Sequence, residues 1–175
     1  LMKSIRIYCK NDGMYHDVPK GATLEEVYET LELNLPCCVT SCKVNNRVEG
    51  LHYTINDSRD LEYLTLASPS GLRTYTRSLF FVLYKAVRDL YPEAELRIGT
   101  PVSGGYFCRL ALPGGITPEV PERLRRRMAE IVASDLPFRR VTAHTTDAIE
   151  VFRRQGFMRK VLLLESIGDL YTHYY

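Results

Sequence analysis

An α+β fold is what the order and periodicity of this 175-residue chain predict. The first third alternates apolar and polar residues in short segments bounded by turn formers, with one amphipathic stretch between them. Beyond it, longer stretches with a helical apolar period are interspersed with further strand-like segments. The order strand, strand, helix, strand, strand within about 65 residues suits one small sheet packed on one helix.

The elements follow in order. Ser4 to Cys9 reads as a strand, Lys10-Asn11-Asp12-Gly13 supplies turn chemistry, and Met14 to Val18 returns as the second arm of a hairpin. Thr23-Leu24-Glu25-Glu26 is a capping box, in which the threonine hydroxyl and the Glu26 carboxylate satisfy free amides. Its helix carries Leu24, Val27, Tyr28 and Leu31 on one face. Thr40 to Val44 and Leu61 to Leu66 read as strands, and Asn45-Asn46 turns the chain between Val44 and Val48. Ser68-Pro69-Ser70-Gly71 interrupts the pattern and is expected to be a linker, dividing residues 1–67 from residues 72–175.

Past that point Leu79, Val82, Leu83, Ala86, Val87 and Leu90 keep a helical period that Pro92 ends. Leu96 to Ile98 and Tyr106 to Leu112 read as strands joined by a loop over residues 101–105. Thr117-Pro118 opens a second helix with a buried stripe of Leu124, Met128, Ile131 and Val132. Arg139 to Ala143 is a predicted strand, and a helix from Asp147 to Arg154 ends at Gly156 with Asp147 and Glu150 as a capping box. The strand-like ending, residues 170–175, carries no polar tail, and reads as a cut within a longer protein.

Composition narrows the function. Charged residues are 25% and hydrophobic ones 45%, the proportions of a folded domain rather than a disordered chain. No apolar run reaches the roughly 20 residues of a membrane span, and the start has no secretory signal, so a cytoplasmic location is expected. Residues 1–67 hold 7 Lys/Arg against 10 Asp/Glu, while residues 68–175 hold 16 against 11. The second part is therefore the more attractive to phosphate or RNA. Cys9 and Cys108 stand alone and Cys37, Cys38 and Cys42 cluster; without paired ligand spacing they read as buried, inert thiols rather than a zinc site.

No phosphate-binding glycine loop is present, and the glycine pairs at 104–105 and 114–115 read as turns. The four histidines are scattered; His144, between a strand and a helix start, is the one to inspect, with an ordinary polar histidine near a helix start as the favoured reading. Arg123, Arg125, Arg126 and Arg127 form the densest basic run. Glu119, Glu122 and Glu130 lie at helical pairing distance, so a solvated, ion-paired face competes with RNA contact there.

Two stretches carry a resemblance. Val39 to Val44, Asn45-Asn46 and Val48-Glu49-Gly50 resemble the TGS domain, the β-grasp module of threonyl-tRNA synthetases. Leu90-Tyr91-Pro92, Ile98-Gly99, Gly105-Tyr106-Phe107, then Ala148, Phe152, Gly156 and Arg159-Lys160-Val161 resemble the editing domain that follows it in that family. The family's editing helix carries two histidines one turn apart, and counting back from Leu90-Tyr91-Pro92 places Arg77 and Phe81 there. Arginine stays protonated and phenylalanine has no heteroatom, so the resemblance implies that ester hydrolysis is lost, with no catalytic residue and no metal in this chain.

The segments 73–79, 81–87 and 101–106 and the ending 170–175 also resemble the corresponding region of bacterial nucleoside kinases of the uridine-kinase type. That likeness implies a non-catalytic regulatory or ligand-binding region, with a kinase domain downstream in cis that uses ATP and magnesium. The implied ligand pocket is a degenerate editing cleft comprising Arg73, Arg77, Phe81, His144 and Lys160, in which Arg77 presents a guanidinium to a nucleotide phosphate or carboxylate. Three readings stand beside it: Arg77 as a surface ion-pair partner, the chain as an RNA-binding or tRNA-editing module, and the chain as a purely structural domain that mediates oligomerisation.

Overall fold

The computed structural model describes residues 3–175; the start of the chain, Leu1 and Met2, lies outside the described residues. The chain divides into two compact units, residues 1–130 and 131–175. The division does not fall at the expected linker.

The first unit begins with a five-stranded mixed sheet. Strands β1 (Ser4–Cys9) and β2 (Met14–Pro19) form an antiparallel hairpin, with Gly13 at a φ of 71° closing the turn. Helix α1 (Leu24–Thr30) crosses to β3 (Val39–Val44), β4 (Arg47–Glu49) and β5 (Asp60–Thr65). The sheet order is β2-β1-β5-β3-β4, with β5 parallel to β1 and antiparallel to β3. This is the expected β-grasp.

The local signals in this region hold to the atom. Thr23 Oγ1 accepts from the Glu26 amide at 3.2 Å, and Glu26 Oε2 accepts from the Thr23 amide at 2.8 Å. Asn45 and Asn46 both adopt positive φ and join Val44 to its partner Arg47. Ile7, Cys9, Leu24, Val27, Cys42, Ile55 and Leu61 form the core, with Tyr28 and Leu31 packed against it. The buried Tyr63 hydroxyl donates to the Leu24 carbonyl at 2.8 Å, fixing α1 on the sheet.

Residues 68–71 are not a linker. Ser68 is the N-cap of α2 (Pro69–Leu90), its hydroxyl accepting from the Gly71 amide at 3.1 Å, and Pro69 opens the helix. The Thr40 hydroxyl donates to the Gly71 carbonyl at 3.1 Å, so the first turn of α2 is tied to the β-grasp sheet. Ala86 and Val87 are buried on this helix, whereas Leu79 of the expected apolar stripe is exposed. Strands β6 (Glu95–Val102) and β7 (Gly105–Ala111) make an antiparallel hairpin whose pairing runs to Val102 opposite Gly105, so the expected five-residue loop shrinks to a tight turn at Ser103-Gly104. Helix α3 (Glu119–Ala133) buries Val120, Leu124 and Ile131, but Val132 faces solvent.

In the second unit, β8 (Val141–His144) pairs antiparallel with β9 (Tyr171–Tyr174), and helices α4 (Thr145–Arg154) and α5 (Met158–Ile167) connect them. Ala148, Phe152 and Val161 form the core of this unit. The expected capping box at Asp147 and Glu150 does not form. Helix α4 starts earlier, because the Thr145 amide donates to Leu170 O and its hydroxyl meets Thr172 Oγ1 at 3.0 Å. The thiol expectation also divides: Cys9 and Cys42 are buried, but Cys38 and Cys108 are exposed and Cys37 is half-buried. Among the described residues no helix is long and apolar enough to cross a membrane.

Candidate functional site

Helix α2 sets out three of the expected residues as a ridge. Arg73, Arg77 and Phe81 stand at i, i+4 and i+8, on successive turns of one face, and all three are exposed. Arg73 donates to Ser70 Oγ at 2.7 Å, within its own helix turn. Arg77 has neither a hydrogen bond nor an ion pair among the described residues. Its charge is left facing solvent. No imidazole lies on this face of α2.

The other two expected residues belong to the second unit. His144 ends β8 at the N-cap position of α4, but its side chain makes no capping bond; its ring lies against Tyr171, with centroids 4.6 Å apart. Lys160, on α5, places its ammonium 5.1 Å from the Phe152 ring centre and 5.0 Å from that of Phe157. Burial between these rings pushes the Lys160 ammonium below the usual lysine range. His144 is thus placed against Tyr171, and Lys160 against Phe152 and Phe157.

Two members of the basic run on α3, Arg125 and Arg127, are ion-paired. Arg125 donates to Glu122 at 2.9 Å, and Arg127 pairs with Glu130 and with Asp89 of α2, each at 2.8 Å. Arg123 lies over the Tyr91 ring at 5.5 Å. The Arg127 guanidinium and then the Lys85 ammonium hold the Asp89 carboxyl below the usual carboxylate range. The Arg127–Asp89 pair ties α3 to α2, while Arg126, exposed, has no hydrogen bond or ion pair among the described residues. Among the described residues, no group of three or more His, Cys, Asp or Glu is placed to hold a metal ion.

One constellation escaped the sequence reading. In the β6–β7 hairpin Arg97 stands directly opposite Arg109. The neighbouring pairs, Leu96 with Leu110 and Ile98 with Cys108, belong to the opposite face. That inner face is turned to α2: Leu96 is buried, the Tyr84 hydroxyl donates to the Leu96 carbonyl at 3.0 Å, and Tyr106 meets Phe80 edge to face at 4.9 Å. Arg97, Arg109 and Phe107 are thereby turned outward, and Phe107 is 58% exposed. Alternation along each strand predicts which residues share a face, but only the pairing register reveals that the two arginines meet.

The comparisons with known proteins agree with part of the sequence resemblance. No family model matches the chain. Over 158 residues, 90% of its length, the chain is 31% identical to a threonine–tRNA ligase from Desulforamulus reducens. It is 29% identical to the threonine–tRNA ligase of Symbiobacterium thermophilum and 30% identical to that of Clostridium novyi over the same share. The chain spans about a quarter of the length of these relatives. It is thus similar to one region of threonine–tRNA ligases along nearly all of its own length.

Proposed function

We propose that this chain is an RNA-facing accessory module of the threonyl-tRNA-synthetase type that does not hydrolyse esters. One observation carries the reading: the similarity to threonine–tRNA ligases runs through nine tenths of the chain, across the β-grasp sheet and the helices and strands that follow. Proteins so named act on tRNA, and tRNA is the partner that this similarity supports.

The loss of hydrolysis follows from side-chain chemistry on α2. A general base must accept a proton near neutral pH from a group within hydrogen-bond reach. A guanidinium holds its proton at any accessible pH, and a benzene ring offers no lone pair. Arg77 and Phe81 therefore leave this ridge without a base. What Arg77 keeps is affinity for anions: an exposed, unpaired fork of N–H donors suited to a phosphate. The nucleoside-kinase parent, with its ATP and magnesium, rests on the likeness of segments 73–79, 81–87, 101–106 and 170–175 alone, and the threonine–tRNA ligase relatives do not add to it.

A low-salt gel shift with tRNA tests the proposal. A complex whose affinity falls steeply as salt rises is expected, since phosphate contacts release counterions. In parallel, tRNA carrying a mismatched amino acid is expected to lose it no faster with the protein than in buffer. Absence of any complex at low salt overturns the RNA reading, and accelerated deacylation overturns the inert one.

A further inference from the structure

The outward face of the β6–β7 hairpin joins charge and aromatic surface in a way that folding does not need. Like charges set directly opposite one another across an antiparallel pair are destabilising. Arg97 and Arg109 occupy such a pair, and Glu95 relieves only Arg97, at 2.8 Å. Arg109 has no hydrogen bond or ion pair among the described residues. Two residues along β7 on the same face, Phe107 lies beside Gly99 of β6. A Cβ at Gly99 would come within 3.2 Å of the Phe107 carbonyl oxygen and 3.5 Å of its ring. The missing side chain leaves room for the ring to lie on the strand, with its other side open to solvent.

We infer that this face is a platform for single-stranded RNA, on which one base stacks on Phe107 while Arg97 and Arg109 together grip a backbone phosphate. An anion placed between the guanidiniums converts the repulsion into paired, charge-assisted hydrogen bonds. An aromatic ring with a free face accepts any unstacked base, whereas bases inside a duplex are already stacked and out of its reach. The ridge on α2 and the arginines of α3 offer no such combination: the first lacks a second free cation beside its ring, and on the second Arg125 and Arg127 are paired with acids while Arg123 already covers the Tyr91 ring.

This inference rests on the RNA reading above, and its test separates the two. Fluorescence anisotropy would be followed with a labelled single-stranded oligoribonucleotide of about ten residues, within the span that stacking platforms cover, with the same strand in a duplex, and with tRNA. The whole chain is expected to bind the single strand at low salt and to prefer it to the duplex. Phe107→Ala is expected to weaken single-strand binding roughly tenfold. Arg109→Glu exchanges the repulsion for an ion pair with Arg97, so it is expected to abolish binding while the melting temperature stays level or rises. That stability readout distinguishes a lost platform from a lost fold. Variants that bind the single strand as wild type does, or a duplex bound with equal dependence on Phe107, overturn the platform. If those variants still bind tRNA normally, the platform falls and the RNA reading stands. If wild type binds no RNA at low salt, both fall.

Discussion

Replacing Gly71 by alanine tests how α2 is seated on the β-grasp sheet. A Cβ built at Gly71 would lie 2.1 Å from the Thr65 carbonyl oxygen, 2.8 Å from its carbon and 2.9 Å from Thr40 Oγ1. Two of these atoms are backbone in β5, which is paired to both β1 and β3 and cannot swing aside. The first turn of the helix must therefore retreat by about 1 Å to restore ordinary contact distances. That movement strains two hydrogen bonds: the one that the Gly71 carbonyl accepts from Thr40 and the one that its amide donates to Ser68, both 3.1 Å long. Each is worth about 1 kcal/mol net, and overpacking a closed site adds roughly 1–3 kcal/mol. Against this, alanine gains about 1 kcal/mol over glycine in a helix. The expected net loss for Gly71→Ala is about 2–3 kcal/mol. Urea unfolding followed by circular dichroism measures it, as a lower midpoint with an unchanged slope. Gly50, where an added Cβ meets nothing within 4 Å, is the control, and its alanine variant is expected to stay within about 0.5 kcal/mol of wild type. A Gly71→Ala protein as stable as wild type, or more so, refutes the close seating of α2 against Thr65.

Three further outcomes follow from the structure. The Asp89 carboxyl is held down in the folded state by Arg127 and Lys85, so its contribution is present at neutral pH and disappears as pH falls through the folded value, below the usual carboxylate range. Asp89→Asn is expected to lower stability at neutral pH and to flatten its acid dependence, which denaturation series at several pH values will show. Desolvation beside the Phe152 and Phe157 rings lowers the Lys160 ammonium from the usual lysine range, and limited acylation with mass mapping is expected to find Lys160 among the first lysines labelled. The Cys42 thiol is pushed up to about 12 by burial and the Cys9 thiol is also raised, whereas Cys38 and Cys108 are exposed. Alkylation of the folded protein is expected to modify Cys38 and Cys108 while sparing Cys9 and Cys42 until urea opens the β-grasp core.

The features legible before the structure are those whose physics closes within a few residues. Thr23 and Glu26 exchange hydrogen bonds across three positions, and Asn45-Asn46 turns the chain because asparagine tolerates positive φ. Where local signals misled, a distant partner outweighed them. Asp147 reads as the helix start in the sequence, yet the helix begins at Thr145, which Leu170 and Thr172 hold from 25 and more residues away. Ser68 to Gly71 has the composition of a linker, but the Thr40 hydroxyl turns the segment into the anchored first turn of a helix. Helix α5 carries Leu162, Leu163 and Leu164 consecutively and so shows no clear face in its sequence; Val161 alone is buried.

The candidate site divides along the same line. The sequence by itself determined the β-grasp start, the likeness to threonyl-tRNA synthetases and the absence of imidazole at residues 77 and 81, since each is a matter of residue identity and spacing along one segment. Only the tertiary structure decided that Arg77 is unpaired, that Arg125 and Arg127 of α3 are paired with acids on α2 and α3, and that Arg97 meets Arg109 beside an open aromatic ring. Those facts depend on which side chains face one another across elements, and register and packing are properties of the folded chain as a whole.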